Sequence, residues 1–83
     1  MDFYIGQIVL FPYKRSYLNG FVLCDGSLLP ISQNNALFSL IGSMYGGDGR
    51  NTMAVPDLRN ASPASGLQYY ICINGIYPDI VLM

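Results

Sequence analysis

The sequence predicts a small α+β domain, mainly β, with one short helix at about residues 33–41. Three observations lead there. The 83 residues leave room for one compact unit, read as a single domain over 1–83. Short β-branched and aromatic runs recur, each closed by proline or an Asp-Gly pair. Only one stretch carries apolar residues at helical spacing.

Phe3–Phe11 reads as the first strand, ended by Pro12, which has no amide proton for a ladder. Both of its alternating faces, Phe3, Ile5, Gln7, Val9, Phe11 and Tyr4, Gly6, Ile8, Leu10, are mostly apolar, so cover is expected on both sides. A polar loop over 13–20 leads to a strand at Phe21–Cys24, stopped by Asp25-Gly26. Leu37, Leu40 and Ile41 then fall at i, i+3 and i+4 on one helical face. Ser32 is the expected N-cap and Gly42 the C-terminal stop. Residues 45–51 contain Gly46, Gly47 and Gly49 around Asp48, which requires a loop in backbone conformations closed to other residues. A short extended piece at Thr52–Val55 ends at Pro56, and 60–66 is a polar connector. In the last strand, Leu67–Gly75, Leu67, Tyr69, Ile71 and Ile73 form a dry face, and Gln68, Tyr70, Cys72 and Asn74 a mixed one.

Composition excludes several functions. Charged residues make up 11% of the chain, against about 25% in globular proteins, and 52% is apolar. Too little charge is present to cover a free sphere, so self-association is expected. Four scattered cations, Lys14, Arg15, Arg50 and Arg59, and a net charge of −1 make no nucleic-acid stripe. No apolar run reaches the ~18–20 residues of a membrane span. Nor does Met1-Asp2 open a secretory signal, so export would use another route.

Catalysis lacks its parts. The chain has no histidine and one lysine, Lys14, so neither the commonest general base nor a Cys/His zinc site can be built. Asp25, Asp48 and Asp57 each adjoin Gly or Pro, where an Asx turn explains them. The glycine loop has no Lys-Ser/Thr pair or following helix, which sets it apart from a phosphate-binding loop. No cofactor or metal is expected. Cys24 and Cys72 read as core thiols, with a disulfide between neighbouring strands the alternative. Seven tyrosines exceed what so small a core can hold, which places them at an interface or at the rim of the core.

Tyr4–Ile8, Leu23–Ile31 with its Cys24-Asp25-Gly26 turn, Asn35–Gly42, Tyr45–Gly49 and Val55–Arg59 with Pro56-Asp57-Leu58-Arg59, in that order, resemble the phage tail collar domain. The chain is similar to the small microcystin-dependent proteins, in a minimal form. A seven-residue connector, 60–66, replaces their long insertion after Pro-Asp-Leu-Arg, Gly-Phe-Val replaces Gly-Trp-Ala, and the metal-binding histidines of some collars are missing. The resemblance implies a non-enzymatic structural module of tail fibres, often trimeric, in a virion tail or extracellular appendage. Cys24, Asp25, Gly26, Ser32, Gly46, Gly47, Asp48, Gly49, Pro56, Asp57 and Arg59 would be its structural motif residues.

Two functions follow. One is a subunit that self-assembles into a trimer, larger oligomer or filament, the other a fibre tip recognising a cell-surface glycan or protein receptor. The short connector favours assembly, because a tip needs displayed loops. Phe3, Tyr4 and Ile5 at one end and Ile80, Val81, Leu82 and Met83 at the other are the expected self-association residues, adding as strands to a neighbour.

Overall fold

A computed structural model describes residues 3–15 and 17–78, apart from the side chain of Tyr17. Among these residues the strands are β1 (Ile8–Phe11), β2 (Tyr17–Leu18), β3 (Phe21–Leu23), β4 (Leu28–Pro30), β5 (Thr52–Ala54) and β6 (Gln68–Cys72). A 3-10 turn (Ile31–Gln33) and helix α1 (Asn35–Ile41) separate β4 from β5. The first sheet has the order β1-β6-β3-β2, with every neighbour antiparallel, and β4 pairs with β5 in a second. The architecture is α+β and mainly β.

The last strand among the described residues, β6, is an inner strand of the first sheet. β6 pairs with β1 on one side (Ile8↔Ile71, Phe11↔Gln68) and with β3 on the other (Phe21↔Cys72, Leu23↔Tyr70). Here the inner strand is covered on both faces, and β6 alternates accordingly. Ile71 joins Val22, Cys24, Ile31, Leu37, Met53 and Val55 in a core between the sheet and the layer of β4, β5 and α1. Tyr70 and Cys72 point the other way, into a core with Phe21 that Phe3, Val9, Phe11, Leu18 and Leu23 flank. Phe21 meets Phe3 and Phe11 edge-on, with centroids 5.0 and 5.3 Å away. The face expected to be mixed is therefore dry at Tyr70 and Cys72, both 0% exposed.

Three local expectations are corrected. The strand predicted over Phe3–Phe11 begins only at Ile8. Gly6 turns with φ +89°, the Gln7 amide donates to the Tyr4 carbonyl, and Tyr4 donates to Oε1 of Gln7. Apolar residues flank the turn on both sides, and only Gly6-Gln7 marks it in the sequence. Ser32 does not cap the helix. It lies inside the 3-10 turn, α1 starts after Asn34, and Asn34 makes no side-chain cap, its side-chain Nδ2 instead donating to the Pro30 carbonyl. The turn comes first because Ile31 is drawn into the core. Two strands were missed: β2 has only two residues, and β4 ends in Pro30, which an edge strand tolerates. Gly42 does end α1, with φ +57°.

Candidate functional site

The three expected Asx turns are present, and each carboxylate serves its own loop. Asp25 Oδ1 accepts the Ser27 amide, 3.0 Å. Asp48 Oδ1 accepts the amides of Arg50, Asn51 and Thr52 at 2.8, 2.8 and 3.0 Å, while its own amide donates to Oγ1 of Thr52. These bonds, Thr52's first, then those of Arg50 and Asn51, hold the Asp48 carboxyl down at about 2. Asp57 is held at about 2 as well, chiefly by the Arg59 guanidinium, whose Nε and Nη2 donate to it at 2.8 and 2.7 Å.

The glycines between these turns permit close approach of backbone. A Cβ on Gly47 would stand 2.5 Å from the Thr52 carbonyl oxygen and 2.7 Å from Cα of Met53. Gly46 accepts the Ala54 amide through its carbonyl, and Gly49 donates to Thr52, so the loop is clamped along β5. Gly46, Gly47 and Gly49 all have positive φ. Gly26 (φ +81°) packs over Cβ of Asp57, where Asp25 and Asp57 form an isolated antiparallel bridge and the Leu58 amide donates to the Cys24 carbonyl. Pro56 is buried beside it. The motif residues thus tie the second sheet to the end of β3. Their amides and carboxylates face one another, and among the described residues no pocket and no cluster of three metal-ligating side chains occurs.

Cys24 and Cys72 are free and buried. They lie in cores on opposite faces of the first sheet. Burial, with the Asp25 charge adding to it, pushes the Cys24 thiol up to about 12.

The residues expected to self-associate divide in two. Phe3 and Ile5 are used within the chain: the Ile5 amide donates to the Ile76 carbonyl (2.8 Å), the Ile76 amide donates back to Phe3 (2.9 Å), and both side chains pack on the cores. Between them Tyr4 is 53% exposed. Ile80, Val81, Leu82 and Met83 lie outside the described residues. Among the described residues β1 is one edge strand of the first sheet, with β2 the other, and Ile8 on β1 is 39% exposed.

A feature unforeseen in the sequence stands where β1 ends. The Tyr70 hydroxyl, at the tip of a fully buried side chain, accepts the Arg15 amide (3.1 Å) and has the carbonyls of Arg15 and Tyr13 at 2.7 and 2.8 Å. Tyr13 stacks on Phe11. The loop carrying Lys14 and Arg15 is thereby fixed from the sheet interior. The only signal for it was a tyrosine in a strand face shared with Cys72.

Residues 6–63, which contain these braces from Cys24 to Arg59, match the family model of the Phage Tail Collar Domain. The chain belongs to the phage tail collar domain family. A structural role in a phage tail is what membership implies. Every motif residue from Cys24 to Arg59 lies inside the collar match, whereas Phe3–Ile5, β6 and 80–83 lie outside it. No curated protein and no solved structure is significantly similar to the chain.

Proposed function

We propose that residues 1–83 form one collar-like structural subunit that assembles with copies of itself into a closed oligomer or filament of a tail-like particle or extracellular appendage, without catalysing a reaction. The observation carrying this reading is the edge of β1. Ile8-Val9-Leu10-Phe11 has no charge and no bulge, only Pro12 beyond it, and edge strands of lasting monomers are normally guarded. The segment Ile80–Met83 of a neighbour has the same uncharged, apolar chemistry.

Magnitudes set the form of the contact. About four added main-chain hydrogen bonds at roughly 0.5–1.5 kcal/mol each fall short of the ~4–15 kcal/mol that association costs. Side chains such as Ile8 and Leu10 must be covered as well, at about 1.5–3 kcal/mol for each one fully buried. A head-to-tail contact of this kind closes into a ring or extends as a filament according to its rotation.

Deletion of 79–83 tests the reading. Sedimentation velocity and negative-stain microscopy should show large species for the full chain and a folded monomer for the truncation. Assembly that persists unchanged in the truncated chain refutes it.

A further inference from the structure

We infer that Asn74 is a site of spontaneous modification: it cyclises onto the Gly75 amide, loses ammonia and reopens mainly as isoaspartate, which loosens the clasp of Phe3 and Ile5 on Ile76. The reaction draws only on water and does not depend on assembly.

The chemistry is that of the asparagine-glycine pair. The Gly75 nitrogen, once deprotonated, attacks Cγ of Asn74; the N–Cγ bond forms, the Cγ–Nδ2 bond breaks and ammonia leaves. Water then opens the five-membered succinimide at either carbonyl, giving aspartate or, with the main chain rerouted through Cβ and Cγ, isoaspartate. Glycine favours the attack because it has no Cβ to obstruct it. Two pairs of this kind occur, Asn19-Gly20 and Asn74-Gly75, and the remaining asparagines precede Asn, Ala or Thr.

Structure separates the two pairs. Asn19-Gly20 is the two-residue turn between Leu18 and Phe21, which pair across it. Gly20 is buried, its carbonyl accepts the Ile73 amide (2.8 Å), and a Cβ on it would stand 3.3 Å from the Asn74 carbonyl oxygen. Swinging the Gly20 nitrogen onto Asn19 would break these contacts. Asn74 and Gly75 are both exposed and lie in a bend beyond the end of β6. Among the described residues, the Asn74 carboxamide and the Gly75 amide have no hydrogen-bond partner, so neither reacting group must first be released. Nor can the glycine be exchanged for a protective residue, because a Cβ on Gly75 would collide with the Phe3 carbonyl oxygen. The fold demands the very residue that makes Asn74 reactive.

Modification here acts on the neighbouring clasp. The Ile76 amide donates to the Phe3 carbonyl (2.9 Å), and the Ile76 carbonyl accepts the Ile5 amide (2.8 Å). Isoaspartate adds one atom to the main chain just ahead of this clasp and a carboxylate beside it. Ile76 is thereby moved out of register with Phe3 and Ile5, each of which packs on one of the two cores.

Timed incubation in mildly alkaline buffer, followed by peptide mapping by mass spectrometry, supplies the test. In urea the two asparagines should react at similar rates. In the folded chain Asn74 should react about tenfold or more faster than Asn19, a barrier difference of ~1.4 kcal/mol. Isoaspartate at 74, detected by enzymatic methylation with a protein isoaspartyl methyltransferase, should rise with the mass change. Amide exchange at Ile5 and Ile76 should accelerate in the aged chain while that at Ile71 changes less, and Asn74→Gln should show neither effect. A folded-state ratio no greater than that in urea, or Asn19 reacting first, overturns the site. Exchange at Ile5 and Ile76 that is unaltered at full conversion overturns the loosening of the clasp.

Discussion

Replacing Tyr70 by Phe removes one oxygen and leaves the ring in place among Phe11, Phe21 and Cys72. The oxygen serves three backbone groups, the Arg15 amide and the carbonyls of Tyr13 and Arg15, though its single proton satisfies one carbonyl at a time. Two hydrogen bonds are thus lost at any moment, each worth roughly 0.5–1.5 kcal/mol net. Tyr13, Lys14 and Arg15 are exposed, so water can take up part of the loss, and a total of about 1–2 kcal/mol is expected. For a domain of this size that is a fall in Tm of about 5–15 °C. Urea unfolding should show a lower midpoint with an unchanged slope, since the surface exposed on unfolding stays the same. Amide exchange at Arg15 should accelerate while that at Ile71 follows only the change in global stability. A midpoint equal to that of the parent, with Arg15 still protected, would refute the hydroxyl as the anchor of this loop.

Gly47→Ala should cost ~2–4 kcal/mol in urea melts, combining positive φ with backbone 2.5 Å away. Gly66→Ala, with positive φ but nothing within 4 Å, should cost only about 1–2 kcal/mol, and equal losses at the two sites would show that the clamp on β5 is not tight. Ser32→Ala should change stability by less than about 0.5 kcal/mol, as for other exposed surface positions, and a loss near 1 kcal/mol would restore a capping role. Asp48 and Asp57 have carboxyls at about 2 in the folded chain, below the ordinary 3.8, so the unfolded chain takes up protons first. Their contribution is complete above pH 5 or so and disappears as the pH falls from about 4 to 2. Tm should drop across that window, and Asp48→Asn, which no longer titrates, should flatten the drop; an unaltered profile in the variant would contradict it.

The sequence by itself determined whatever depends on a few adjacent residues. Glycines at 46, 47 and 49 have to adopt positive φ wherever the loop packs, Asp25, Asp48 and Asp57 reach amides two to four residues away, and Leu37, Leu40 and Ile41 define a helix face. Local chemistry of this kind carries the collar motif, which is why most of the brace was legible before any fold was known. Tertiary structure decided the rest. That β6 becomes an inner strand, that Tyr70 is swallowed whole while Tyr4, Tyr13 and Tyr77 stay exposed, and that Cys24 and Cys72 face opposite cores all follow from pairings between segments some fifty residues apart. Alternation assigns residues to two faces of a strand, but which face is dry depends on the neighbours that arrive from elsewhere in the chain. The same reason hid the turn at Gly6: an apolar residue that leaves a strand to cover a core looks no different, in sequence, from one that stays in it.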